Sequence, residues 1–119
     1  GGNDGRTHDP IYPLFSDHGY GGLVIEASME HKEALYTNLA PLNNSGKIIV
    51  VLEAVKPQSI GRLLDHHQIP RDFDALKIDI DGFDLIVLRS ILDHGYKPKV
   101  IMMEVNADIP PPIRWNLDY

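Results

Sequence analysis

The sequence predicts a parallel α/β sheet, and three observations carry that prediction. Short apolar runs alternate strictly with amphipathic stretches, the pattern of strands joined by right-handed crossover helices. The run Ile48-Ile49-Val50-Val51-Leu52 is apolar at every position, as a strand covered on both faces requires. Acidic residues stand where such runs end: Glu26, the pair Asp79 and Asp81, and Glu104. In an open parallel sheet, ligands bind just outside the carboxyl ends of the strands.

In chain order, Gly1-Gly2-Asn3-Asp4-Gly5 is a glycine-rich turn. Asp9-Pro10 reads as a helix N-cap followed by proline at the first helical position, giving a helix to about His18 that Gly19 closes. Gly22 to Ile25 is a short strand ending in Glu26, and Met29 to about Leu39 is helical, with Leu35 and Leu39 on one side. Pro41 and Asn43-Asn44-Ser45-Gly46 make a loop before the strand Lys47 to Leu52. Pro57 opens a third helix ending near Gln68, with Ile60, Leu63 and Leu64 inward. Ala75 to Ile80 is a buried strand interrupted by Lys77 and Asp79. The helix after it runs to Gly95 with Leu85, Leu88, Ile91 and Leu92 as its apolar stripe. Val100 to Met103 is the last strand, capped by Glu104-Val105-Asn106. Residues 107–119, with Pro110-Pro111-Pro112, read as an extended tail or lid. Four strands and four helices are expected.

Composition narrows the function classes. At 119 residues the chain is at most one domain, and 43% hydrophobic residues suit an ordinary globular core. A formal charge of -6 with no offsetting Lys/Arg run argues against nucleic acid or an anionic membrane as partner. The absence of cysteine excludes disulfides, thiolate zinc sites and a cysteine nucleophile. No apolar run reaches the roughly 18 residues of a membrane span. With no signal-peptide pattern either, a cytoplasmic location is expected.

Two groups of residues are placed to do chemistry. In a nucleotide-binding βαβ unit the first loop is glycine-rich, because residues without a Cβ let the backbone approach the ligand. An acid about 20 positions on then takes the ribose hydroxyls, and Glu26 stands where that acid belongs. The bland alternative is a flexible stub and an ordinary strand-end glutamate. The second group is Asp79, Asp81, Glu104 and Asn106, which strand ends would bring together if their strands are neighbours. Carboxylates with an amide suit a general-base site or a divalent cation. Asp81 also reads as the cap of the helix that follows it. His8 would lie near the strand ends; the other histidines have no metal-ligand spacing. Asp79-x-Asp81 also matches the opening of haloacid-dehalogenase-type phosphatases. Phe83 stands where that family expects threonine or valine, and too little chain follows for its remaining acids.

Together these segments resemble the FkbM-type S-adenosylmethionine-dependent methyltransferases. Gly1 to Gly5 with Asp9-Pro10-Ile11-Tyr12-Pro13 resembles the cofactor loop and first helix, and Leu23-Val24-Ile25-Glu26 the second strand. Glu53-Ala54-Val55 resembles the end of the third strand. Leu76-Lys77-Ile78-Asp79-Ile80-Asp81-Gly82 and Val100-Ile101-Met102-Met103-Glu104-Val105-Asn106 resemble the most specific pair of motifs. The resemblance implies a Rossmann-like class I methyltransferase fold, strand order 3-2-1-4-5-7-6, and O-methylation of a sugar or other small-molecule hydroxyl. It implies S-adenosylmethionine as cofactor, held by the backbone of Gly1, Gly2, Asn3, Asp4 and Gly5, by Glu26 at the ribose and by Glu53 and Ala54 beside the adenine. Asp79 would line the active site, with Asp79 or Glu104 taking the hydroxyl proton and His8, Asp81 and Asn106 near the acceptor. No metal is implied.

The same resemblance makes residues 1–119 a single, incomplete domain holding strands 2–5. The first strand of the family, at the sheet's centre between the Glu26 and Asp79 strands, and the strands after the fifth are not in the sequence. Such a fragment is expected to fold poorly alone, since unpaired ladder groups cost about 1–3 kcal/mol each when buried. Two other functions compete: a nicotinamide-dependent oxidoreductase, which leaves the Asp79 to Gly82 motif without a purpose, and a non-catalytic nucleotide-binding module.

Overall fold

A computed structural model describes residues 1–43 and 47–105; Asn44-Ser45-Gly46, Asn106 and the expected tail over 107–119 lie outside the described residues. The chain divides into two compact units, Gly1–Val55 and Lys56–Tyr119. Among the described residues the strands form two separate two-stranded parallel sheets, not one continuous sheet. The alternation and parallel pairing expected from the sequence are present.

The first unit contains α1 (Tyr12–Ser16), β1 (Gly22–Glu26), a 3-10 turn (Met29–His31), α2 (Lys32–Asn43) and β2 (Ile48–Leu52). β1 and β2 pair from Gly22↔Ile48 to Glu26↔Leu52. Apolar side chains from α1, β1, α2 and β2 build its core: Phe15, Val24, Leu35, Leu39 and Ile48 are buried, with Ile11, Tyr12, Leu42, Val50 and Leu52 packed around them. Leu35 and Leu39 are one helical turn apart and almost wholly buried, each worth about 1.5–3 kcal/mol of transfer free energy.

Two boundaries differ from expectation. Asp9 does not cap α1. A helix capped there would need its first intrahelical bond from the N–H of residue 13, and Pro13 has none. Instead the Asp9 carboxylate accepts the Ile11 N–H at 3.0 Å, and a five-residue helix starts at Tyr12. Conversely, Pro41 does not stop α2, which runs through it to Asn43. Thr37, whose carbonyl would have accepted the missing N–H, is exposed like Pro41, so water can replace the lost donor.

The second unit contains α3 (Ile60–His66), β3 (Ala75–Ile78), α4 (Asp84–Asp93) and β4 (Val100–Met103). α3 begins three residues later than Pro57, after a turn in which Ser59 and Ile60 N–H groups both bond the Lys56 carbonyl. β3 is two residues shorter than expected. It pairs with β4 from Ala75↔Val100 to Ile78↔Met103. Among the described residues of this unit, Ile60, Leu64, Ile78, Val87, Ile91 and Tyr96 are buried.

A polar clamp joins α3 to the chain leaving α4. The Asp65 carboxylate takes the Tyr96 hydroxyl, the His94 ring and the Arg71 guanidinium, all at 2.8 Å. Arg71 also donates to the His94 carbonyl at 3.0 Å and lies over the Tyr96 ring. The hydrogen bonds from His94 and Tyr96 hold the Asp65 carboxyl below its usual range. Burial, reinforced by the bond to Asp65, pushes the Tyr96 phenol up to about 12. Gly61 makes this possible, because a Cβ there would collide with the His94 ring.

Candidate functional site

The carboxyl ends of β1 and β2 gather one set of predicted residues. Glu26 ends β1 opposite Leu52, so Glu53 and Ala54 leave the neighbouring strand end, both exposed. Glu26 itself is buried, at 7% exposure. Its two oxygens accept the Asn3 N–H at 2.7 Å and the Ser28 N–H at 2.6 Å. Burial alone would raise its pKa, but these two backbone donors reverse the effect and hold the carboxyl below its usual value.

Glu26 thereby fixes the glycine turn at the strand end. The Gly2 N–H adds a bond to the Ile25 carbonyl at 2.9 Å. The glycines have steric reasons beyond any ligand. A Cβ on Gly2 would fall 2.5 Å from Val24 Cγ1, and one on Gly5, at φ +73°, would fall 2.7 Å from Leu35 Cδ1. Asp4 closes the loop, its carboxylate accepting the Arg6 and Thr7 N–H groups, while Asn38 donates to the Asp4 carbonyl at 2.8 Å. His8 is exposed and in the left-handed region, at φ +56°.

The second set gathers at the carboxyl ends of β3 and β4. Ile78 pairs with Met103, so Asp79 and Glu104 are the next residues on adjacent strands, and the Glu104 N–H continues the ladder to the Ile78 carbonyl. Asp79, Asp81 and Glu104 are exposed, with one carboxylate oxygen of each within 4.8 Å of the others. Oxygen donors at this spacing suit a proton acceptor or a hard cation. Lys77, largely buried on the same face of β3, puts its ammonium 3.1 Å from Asp79. Partial desolvation and the negative charges of Asp79, Asp84 and Asp81 raise the Glu104 carboxyl above its usual range. Asn106 lies outside the described residues.

The capping role expected of Asp81 is not found. Asp81 sits at φ +57°, outside the helix, and α4 begins at Asp84 behind Phe83, with no side-chain cap. The residue that organises the turn is Asp84, which is buried and accepts the Ile80 N–H at 3.1 Å and the Gly82 N–H at 3.0 Å. An acid in the first turn of a helix ordinarily does no more than favour its positive end, and Asp84 holds that place in α4. The signal pointing further was its place two residues after Gly82, close enough to reach back across the turn.

The geometry can be set beside known proteins. A family model described as the Methyltransferase FkbM domain matches residues 39–113, more than half of the chain and all four elements of the second unit. No curated protein and no solved structure matches the chain.

Proposed function

Because the chain belongs to the FkbM methyltransferase domain family, we propose that it methylates a hydroxyl of a small molecule or sugar, with S-adenosylmethionine as donor. The observation that carries this reading is the adjacency of Asp79 and Glu104 at the ends of paired strands, inside the matched region.

The residues present fit such a cofactor. An ionised carboxylate has about four lone-pair sites, and the backbone bonds of Asn3 and Ser28 use two of those on Glu26. The rest suit the paired hydroxyls of a ribose. Gly1, Gly2, Asn3, Asp4 and Gly5 supply backbone for the methionine part, and Glu53 and Ala54 flank the adenine. The bound cofactor supplies an electrophilic methyl group on a sulfonium. The protein's work is to orient the acceptor oxygen and remove its proton. Glu104 accepts that proton, helped by the partial desolvation and the acidic neighbours that raise its basicity, and Asp79 orients the hydroxyl. Asp81, beside them in the cluster, is the further residue assigned to the acceptor. The reading includes a cytoplasmic setting; among the described residues no helix is long and apolar enough to cross a membrane.

Calorimetry on the full chain with S-adenosylmethionine and, separately, NADH tests the cofactor. Binding of the first, weakened at least about tenfold by Glu26→Ala, is expected. Binding of NADH alone would replace the reading with an oxidoreductase. Labelled methyl transfer to a panel of sugars and small alcohols tests the chemistry, with Glu104→Gln slowing turnover about 10²-fold or more. Cofactor binding with no transfer to any acceptor would leave a binding module.

A further inference from the structure

Asp84 is the first residue of α4, and its hydrogen bonds run the wrong way for a cap. A capping carboxylate accepts N–H groups further along its own helix. The Asp84 carboxylate instead reaches back, to the Ile80 N–H at 3.1 Å and the Gly82 N–H at 3.0 Å. These two donors bracket Asp81. The first belongs to the peptide joining Asp79 to Ile80, the second to the peptide joining Asp81 to Gly82. Fixing both planes sets how the side chains of Asp79 and Asp81 leave the backbone. The turn needs such restraint, because Asp81 is held at φ +57° and Gly82 at φ +119°. Asp84 is also buried, at 6% exposure, so water cannot readily replace it as acceptor.

We propose that Asp84 is a positioning residue for the Asp79–Asp81–Glu104 cluster: it latches the β3–α4 turn from within and so holds the first two carboxylates against the third. The consequence for turnover rests on the methyl-transfer reading above; the latch itself does not.

Two substitutions in the full chain separate a latch from mere support of the helix. Asp84→Asn keeps the shape but turns an NH2 group toward one of the two N–H donors, so at most one bond survives. Asp84→Glu keeps the negative charge at the helix start, and with it the favourable interaction with the helix dipole, but its extra methylene misplaces the oxygens. Both variants are expected to move the Ile80 and Gly82 amide resonances in ¹H–¹⁵N spectra and to lower kcat at least about tenfold, with the KM for S-adenosylmethionine little changed. Asp84→Glu is expected to keep a thermal midpoint near that of the parent. Unmoved amide resonances in a folded variant, or parent-like kcat in Asp84→Glu, would overturn the proposal. If neither variant folds, hydrogen exchange in the unaltered chain decides: Ile80 and Gly82 amides protected from exchange support the latch, and exchange at the open-chain rate refutes it. Should the parent transfer no methyl group, the resonances still decide the latch, and only the methyl-transfer reading fails.

Discussion

Gly1–Val55 and Lys56–Tyr119 solve the same problem with different materials. Among the described residues each contains one parallel ladder, and each buries one acid whose oxygens accept two backbone N–H groups: Glu26 in the first unit and Asp84 in the second. Glu26 reaches across 23 residues to Asn3, so it ties a remote loop to a strand end. Asp84 reaches back four residues to Ile80 and shapes only its own turn. The supporting structure differs as well. Around Glu26 the helix α2 packs on the ladder through Leu35 and Leu39, leaving no room for a Cβ on Gly5. In the second unit a partly exposed polar clamp centred on Asp65 joins α3 to the end of α4. The first arrangement tolerates little added volume; the second depends on charge and can rearrange.

Gly5→Ala attacks the tighter region and has the largest expected effect. The new Cβ would meet Leu35 and Leu39 at a residue held in the left-handed region. Strain and overpacking together should cost roughly 2–4 kcal/mol, read as a lowered midpoint in denaturant unfolding. A loss under about 0.5 kcal/mol would show that α2 can shift and would erase the contrast.

Gly61→Ala makes the matching change in the second unit and should cost less. In an exposed helix the substitution would stabilise by about 0.5–1 kcal/mol, but here the Cβ collides with the His94 ring. That ring is 37% exposed and can swing away from Asp65, so a net loss of about 1 kcal/mol is expected. In a double-mutant cycle, His94→Ala should remove most of the penalty. A penalty that persists without the ring would place the obstruction elsewhere.

Acid should distinguish the units least, though it has a definite sign. The folded pKa of Asp65 lies below its ordinary value of 3.8. Its stabilising contribution is therefore complete above that value and is lost as pH falls through the folded pKa. Glu26, depressed below 4.5, follows the same rule. Salt separates the two: at about 1 M the screening length is roughly 3 Å, which weakens an exposed ion pair such as Asp65–Arg71 more than the buried bonds of Glu26. Hydrogen exchange near pH 6 should then show faster opening of α3 than of β1 as salt is added. Equal acceleration in both would remove the distinction between clamp and core.

Much of this was legible in the residues, for reasons that also explain the failures. Ile48 to Leu52 and Val100 to Met103 read as strands because β-branched or apolar runs between turn residues have few alternatives. The adjacency of Asp79 and Glu104 followed from the short crossover between their strands. The errors arose where one local rule met another. The cap signal of Asp9-Pro10 was cancelled by Pro13, and the breaker signal of Pro41 by an exposed last turn. Asp81 was assigned the cap that an acid before a helix usually makes. Spacing from Gly82 shows that Asp84 can reach back across the turn, but which of the two acids is buried is set by tertiary packing, which spacing does not record. The clamp was invisible for a similar reason: Asp65, Arg71, His94 and Tyr96 are charged or aromatic residues at no characteristic interval.

The two ladders also constrain how the chain folds. Gly22 pairs with Ile48 and Ala75 with Val100, so each ladder first forms by closing about 25 residues of chain, and the closure entropy is nearly the same in both. Neither is a hairpin that could zip from a turn. A nascent chain must therefore hold β1 unpaired until α2 has emerged, and β3 until α4 has, which places both units among the slower-folding topologies.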